Sequence, residues 1–220
     1  MNSGMLRHAA WALCFSAVGC SVLNPLPDRS RFFTLTPVSA SSGGRGASDA
    51  PSPASPAPTF GLGPVKLPAY LDRNELAMRV SPTEITYSTT DRWAEPLEGS
   101  FPAVLLQNLS VLLDTERIVP YPWTGAEQVD YQVEIEVLQF DNDTTGNTRL
   151  LARWRVKELH KATYPVIRET NVVHSQPPRD GSEQVTSLSN ALGDLSRDIA
   201  GALQGLPAPA APPPSASGRK

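Results

Sequence analysis

Two stretches of alternating residues constrain the fold more than any other feature of this sequence. Between residues 132 and 137, valine and isoleucine alternate with glutamine and glutamate; between residues 152 and 157, apolar residues alternate with arginine and lysine. A period of two is typical of a strand with one buried and one exposed face. The turn-rich run 141–147 separates them, and a third extended run follows at 165–174. The sequence therefore predicts an antiparallel three-stranded meander with acidic residues beside basic ones on its outer face.

Helical periodicity occurs in two segments on either side of the predicted meander. One begins at Ser100, predicted as its N-cap, and runs to about Leu113 with Pro102 in the first turn. The other has apolar residues at steps of three or four, which predicts one buried face. These residues are Val185, Leu188, Leu192, Leu195, Ile199 and Leu203. A helix lying on a membrane surface is the alternative for this segment, but it lacks the Lys/Arg-rich polar face that such helices use.

Aromatic and β-branched residues predict further short strands. These predicted strands cover residues 31–36, 61–68, 77–80 and 85–87. Together, these elements predict an α+β fold class: a mostly antiparallel sheet with two main helices packed against it.

The N-terminus predicts export and lipid attachment. Basic Arg7 precedes an apolar run at 9–18, which is too short to span a membrane and is typical of a secretory signal. Ala17-Val18-Gly19-Cys20 resembles the bacterial lipobox, in which the cysteine thiol is acylated and cleavage occurs just before it. Ser21, rather than aspartate, follows the cysteine, which resembles the signal for export to the outer membrane in well-studied Gram-negative lipoproteins. The alternatives are an ordinary signal peptide with an incidental cysteine and a buried apolar helix.

Composition divides the chain into segments. We predict a lipoprotein signal peptide at 1–19, a lipidated leader at 20–30 and a single periplasmic domain at 31–206. Residues 39–59 are rich in Ser, Gly, Ala and Pro, and we predict a disordered insertion there because such a tract buries little apolar surface. The Pro/Ala-rich residues 207–220 are predicted to be a disordered tail.

Cysteine and charge content argue against two classes of protein, disulfide-stabilised domains and nucleic-acid-binding proteins. The only cysteines are Cys14, in the segment to be removed, and Cys20, so the mature domain has no internal disulfide and must depend on its core. The formal net charge is −3 and no basic run is present, so we expect no nucleic-acid partner.

Catalysis has no support in the sequence. There is no nucleophile elbow and no phosphate-binding glycine motif. The mature chain has two histidines, His160 and His174; a hairpin folded about residues 163–164 would place His174 near Arg153 and the two rings about 23 Å apart. We therefore expect no enzyme activity, no metal site and no cofactor.

Two motifs carry the most specific signal. Residues 63–73 are Gly-Pro-Val-Lys-Leu-Pro-Ala-Tyr-Leu-Asp-Arg, and residues 91–97 are Asp-Arg-Trp-Ala-Glu-Pro-Leu. Together with Phe32-Phe33-Thr34-Leu35 upstream, they resemble the PqiC-like family of ABC-type transport auxiliary lipoproteins. The likeness extends from the lipobox to about Leu203 and leaves out the predicted insertion and tail.

The resemblance implies an outer-membrane lipoprotein that faces the periplasm, anchored through acylated Cys20, in an intermembrane lipid-transport system. The implied partners are a protein with MCE domains, which forms the lipid conduit, and an inner-membrane permease component; a homo-oligomer is left open. The alternative from another class is a structural or assembly lipoprotein, such as a pilotin or an outer-membrane biogenesis accessory. An anchored periplasmic hydrolase has the least support.

A candidate partner surface combines residues of both motifs, which we expect in loops. Trp, Tyr and Arg are the residue types enriched at interface hot spots. The candidates are Tyr70, Leu71, Asp72, Arg73, Asp91, Arg92, Trp93 and Glu95. The alternative is that Asp72–Arg73 and Asp91–Arg92 are internal ion pairs, and that Trp93 fills the core.

Overall fold

The computed structural model describes residues 28–38, 57–124, 128–175 and 179–207. The predicted signal peptide, Cys20, residues 39–56 of the predicted insertion and the tail from residue 208 lie outside the described residues. The chain divides into two compact units, Met1–Ser30 and Arg31–Lys220, and the second contains every helix and strand described below. Within it, Thr59 N–H donates to Asp130 Oδ2 at 2.8 Å, so the predicted insertion ends before Thr59.

The second unit is an α+β domain, as predicted. Its strands are β1 (Arg31–Phe33), β2 (Phe60–Lys66), β3 (Glu75–Ser81), β4 (Glu84–Trp93), β5 (Ile118–Pro120), β6 (Tyr131–Asp143), β7 (Asn147–Glu158) and β8 (Thr163–Ser175). Its helices are α1 (Leu97–Leu113) and α2 (Gly181–Gln204), and a single 3-10 turn covers Ala69–Leu71. All the described strands belong to one mixed, largely antiparallel sheet.

Strand β6 is the centre of the sheet. Along one edge it pairs antiparallel with β7, which pairs with β8, and this confirms the predicted meander. Its other edge is shared, because β2 pairs parallel with the first half of β6 and β3 pairs parallel with its last residues. Beyond β2 lies β5, and beyond β3 lie β4 and then β1. The outer face of the meander carries a charge pair of the predicted kind between β6 and β7, from Arg155 Nε to Glu134 Oε2 at 2.6 Å. A further pair joins β7 to β8, from Arg153 Nε to Glu169 Oε2 at 2.9 Å.

The predicted register between β7 and β8 is wrong. His174 pairs with Thr148 instead of lying near Arg153, which pairs with Glu169. The cause is the position of the turn, which occupies residues 159–162 and includes Ala162 with a left-handed φ of 54°. Residues 163 and 164, expected at the turn, already belong to β8.

Helix α1 begins earlier than predicted. The amides of Gly99 and Ser100 both donate to Pro96 O at 3.1 Å, so the first turn closes on Pro96 and Ser100 lies inside the helix. Pro96 is therefore the N-cap, although it supplies no side-chain hydrogen bond. Pro102 consequently lies beyond the first turn, where it removes one backbone donor from the helix.

Both helices pack on one face of the sheet and form one core with it. All six apolar residues predicted for the buried face of α2 are buried. The helix starts at the N-cap Asp180, which accepts a hydrogen bond from Glu183 N–H, and ends at Gly205. From α1, Phe101 packs edge-on against Phe140 of β6, with ring centroids 5.2 Å apart. Helix α2 also bonds to this face through Ser187, whose Oγ accepts from Thr148 Oγ1 at 2.6 Å, and the charge pairs of the meander lie on the opposite face.

Candidate partner-docking site

The antiparallel pair of β3 and β4 brings the two sequence motifs together. Residues 63–73 extend from the second half of β2 to just before β3, and residues 91–97 extend from the last residues of β4 to the first residue of α1. Glu75 pairs with Arg92, and Trp93 N–H donates to Asn74 O at 2.6 Å. The motifs are therefore neighbours in space although about twenty residues separate them in the sequence.

A cleft of about 520 Å³ lies where the two motifs meet. We call this feature the motif cleft; its walls are residues 65–69 and 71–74 and the start of α1 at residues 96–98. Its lining includes apolar Leu67, Leu71 and Leu97 and charged Arg73 and Glu98. This volume is within the usual range of about 300–1,000 Å³ for ligand pockets, and the mixed lining suits an amphipathic segment.

Tyr70 fixes the first motif to the central strand. Its hydroxyl donates to Asp141 Oδ2 at 2.8 Å and accepts from Phe140 N–H at 3.0 Å. Burial raises the pKa of Tyr70 well above its usual value. Arg79 completes this cluster, because its Nη2 donates to Asp141 Oδ2 at 2.8 Å. Tyr70 is therefore half-buried and committed to contacts within the domain.

Asp91 anchors the second motif to β1. It is buried, and it accepts two hydrogen bonds from Arg31, at 2.8 Å from Nε and 2.9 Å from Nη2. These bonds raise the pKa of the Arg31 guanidinium. The first residue of α2 is Gly181, where a Cβ would lie 2.5 Å from Asp91 Oδ2, so a larger residue here would displace the carboxylate that Arg31 holds or the start of the helix.

The structure separates the candidate surface into exposed and buried members. Leu71 and Trp93 are core residues, 5% exposed each, so they pack beneath the surface and are not themselves part of it. Asp72, Arg73 and Glu95 are exposed. Arg73 lies over the ring of Tyr87, with its guanidinium carbon 4.6 Å from the ring centroid.

The expected location and pairing of the Asp-Arg steps need correction. Asp91–Trp93 is the last part of β4 and not a loop, because it pairs with β1. Neither predicted internal pair, Asp72–Arg73 or Asp91–Arg92, occurs among the ion pairs of the described residues, since Asp91 is bonded to Arg31. The alternative was right that Trp93 fills the core.

Arg92 is the one candidate whose hydrogen bonding is incomplete. It is half-buried, and its Nε is inaccessible to solvent without a hydrogen-bond partner in the described part of the chain. A buried N–H without an acceptor is unfavourable, and this atom is closed to a partner while the side chain keeps this conformation. The register partner of Arg92 in β1 is Phe32, which is 63% exposed. The sequence analysis did not include Phe32 among the candidate surface residues. The signal for it is an exposed aromatic residue in an edge strand, paired with an arginine.

The two histidines lie in separate contacts. His160 Nε2 is 3.0 Å from Asp130 Oδ1, and His174 Nε2 is 2.7 Å from Asp194 Oδ2. Across residues 28–38, 57–124, 128–175 and 179–207, no three His, Cys, Asp or Glu side chains are grouped to hold a metal ion. None of the helices in these same ranges is long and apolar enough to cross a membrane.

Comparison with known sequences identifies the family. The family described as ABC-type transport auxiliary lipoprotein component matches residues 44–200, which include both motifs. The chain belongs to this family. The resemblance inferred from the two motifs is thereby confirmed. No curated protein matches the chain.

Solved structures share the fold of this family member. A crystal structure of an uncharacterised protein superposes with a TM-score of 0.62 at 17% identity, covering 79% of this chain and 98% of that chain. Protein XCC0632 from Xanthomonas campestris, assigned to the family DUF330, superposes with a TM-score of 0.58 at 16% identity, covering 78% of this chain and 93% of the other. At these identities the likeness supports the fold alone.

Proposed function

We propose that this chain is the lipid-anchored accessory subunit of an MCE-type intermembrane lipid-transport system. In this proposal acylated Cys20 holds it at the outer membrane, its domain faces the periplasm, and it docks the lipid conduit without catalysing a reaction. The observation that carries the proposal is the match of a transport auxiliary lipoprotein family to residues 44–200. The inner-membrane permease component is the second expected partner.

The motif cleft and Arg92 are the proposed docking surface for the MCE-domain protein. Arg92 is half-buried, and a guanidinium at this position favours a partner with a carboxylate or a backbone carbonyl. Exposed Phe32 beside it and the apolar lining of the cleft favour apolar side chains on the same partner. Asp72 and Arg73 are exposed charged residues of the cleft, and exposed Glu95 directly precedes Pro96 in its other wall. Such charges support orientation and specificity more than affinity.

Capture of the native acylated chain from membranes in mild detergent tests this function. We expect the MCE-domain protein and the permease component to be recovered with the wild-type chain. Arg92→Ala should weaken the association about thirtyfold or more if Arg92 is a hot spot. Arg149→Ala is the matched control, because Arg149 is an exposed arginine on β7 outside the docking surface.

Two outcomes contradict the proposal in different ways. Unchanged partner binding by Arg92→Ala, with a lower free energy of unfolding, would make Arg92 an architectural residue. Recovery of outer-membrane assembly proteins without an MCE-domain protein would instead support the structural or assembly lipoprotein. Urea denaturation of each variant alongside the capture separates loss of folding from loss of binding.

A further inference from the structure

Residues 34–38, which we call the strap, continue from β1 and bridge the two helices. Thr36 N–H donates to Ser189 Oγ at 3.1 Å, and Val38 N–H donates to Asn108 Oδ1 at 2.8 Å. Ser189 belongs to α2 and Asn108 to α1, so each helix accepts one strap amide. The strap is therefore bonded through helix side chains, whereas the strands of the sheet are bonded backbone to backbone.

Two apolar side chains of the strap are buried or half-buried. Leu35 is only 5% exposed and belongs to the core, and Val38 is half-buried. A Cβ on Gly193 of α2 would lie 2.7 Å from Val38 Cγ1, so the helix surface is shaped to receive this valine. Between them, Thr36 and Pro37 are exposed.

The two acceptors on the helices are prepared for a peptide backbone. Asn108 is 0% exposed, and its Nδ2 donates to Ser196 Oγ at 2.9 Å, which directs its Oδ1 to Val38 N–H. Ser189 Oγ donates to Val185 O at 2.8 Å, so it is left as an acceptor for Thr36 N–H. Removal of the strap takes away the protein donor of each acceptor and opens both to water, and a hydrocarbon chain in the groove would exclude that water without supplying a donor.

We propose that the groove between α1 and α2 is a binding site for extended peptide segments, occupied in this chain by its own strap. Its ligand has branched apolar side chains three residues apart and backbone N–H groups at the second and fourth positions, as Leu35, Thr36 and Val38 have. The third position needs no donor, and Pro37 has none. The groove shares no residue with the motif cleft, so this site does not depend on the proposed docking of the conduit.

Two glycines of α2 provide a matched test of strap docking in the mature chain. Gly193→Ala places a methyl group against Val38, whereas Gly201→Ala adds one where no other atom lies within 4 Å. Both changes raise helix propensity similarly. Hydrogen–deuterium exchange at the amides of Thr36 and Val38 should be at least tenfold faster in Gly193→Ala and unchanged in Gly201→Ala.

Exchange in trans is tested with a fluorescein-labelled peptide of residues 31–38. The wild-type chain should bind it weakly, because the tethered strap competes at high effective concentration. Leu35→Asp releases the strap and should bind the peptide at least tenfold more tightly, as measured by fluorescence anisotropy. Adding Gly193→Ala to Leu35→Asp should remove this gain, and adding Gly201→Ala should not.

Near-UV circular dichroism establishes whether each variant is folded. If Leu35→Asp is folded and binds the peptide no better than the wild type, the proposal is overturned. If Leu35→Asp does not fold, the hydrogen–deuterium exchange measurement decides. Equal protection of the Thr36 and Val38 amides in the two glycine variants overturns the proposal. Loss of protection in Gly193→Ala alone supports it.

Discussion

Tyr70 donates its hydroxyl hydrogen to Asp141 across 2.8 Å, and this bond joins the first motif to the central strand β6. Asp141 is buried and is also bonded to Arg79 and to Gln139. Burial raises the pKa of Tyr70 well above its ordinary 10.0, so the hydroxyl remains a donor in alkaline solution as well as at neutral pH. The 3-10 turn beside the motif cleft is therefore fixed by polar contacts as well as by the burial of Leu71.

Tyr70→Phe should lower the free energy of unfolding by about 1–3 kcal/mol, measured by urea denaturation. The variant keeps the ring but removes the donor to buried Asp141 and the acceptor for Phe140 N–H. Tyr121→Phe is the control: Tyr121 is 53% exposed, so its variant should change the free energy by no more than about 0.5 kcal/mol. If Tyr70→Phe changes the free energy of unfolding no more than Tyr121→Phe does, the Tyr70 hydroxyl does not stabilise the fold.

Asp143→Asn should make stability less dependent on pH in the acid range. Partial burial alone would raise the pKa of Asp143, but hydrogen bonds from Thr145 and Asn147 outweigh it and hold the pKa below its ordinary 3.8. A lowered folded-state pKa means that the carboxylate stabilises the fold above 3.8 and loses this contribution as the pH falls through the folded-state value. The variant should therefore be less stable than the wild type at pH 7, and the difference should shrink in acid. A constant difference between their urea curves at every pH would contradict this.

Local sequence patterns predicted those helices and strands in which buried and exposed residues alternate with a regular period. The alternation at 132–137 and at 152–157 reports one buried sheet face, and the apolar stripe from Val185 to Leu203 reports the buried face of α2. Such periods depend on neighbours in the sequence, so they can be read without knowing the fold. The exact start of α1 was missed because Ser100 is a favourable N-cap residue, whereas the chain uses Pro96, which offers no side-chain signal.

Pairing across the sheet was not predictable in the same way. That β2 and β3 share one edge of β6 depends on contacts between distant segments, and no local pattern encodes them. The register of β8 depends on Ala162 adopting a left-handed φ, which alanine does not signal. The candidate site has the same limit: the motifs pointed to Asp91 and Arg92, but the partner of Asp91 is Arg31, sixty residues away.

Replacing residues 41–56 by a Gly/Ser segment of equal length should leave the melting temperature within about 2 °C of the wild type. The composition of this stretch predicts little buried apolar surface, and equal length preserves the connection between the strap and Thr59. Differential scanning calorimetry of the mature domain measures the change. A fall of several degrees in the melting temperature would mean that this stretch packs against the domain and that the predicted insertion is wrong.

Cys20→Ser should abolish membrane anchoring without affecting the domain. The substitution removes the sulfur that would carry the acyl chains, so the chain should be found unprocessed or in the soluble periplasmic fraction. Cys14→Ser is the matched control, because this cysteine lies within the predicted signal peptide and its variant should still be processed and anchored. Metabolic labelling with palmitate, combined with density-gradient separation of inner and outer membranes, distinguishes these results. Multiple acyl chains bind a bilayer firmly, at about 0.8 kcal/mol per buried CH₂, so the wild-type label should stay with the outer membrane through high-salt washing. A labelled Cys20→Ser chain in the outer-membrane fraction would refute the lipobox assignment.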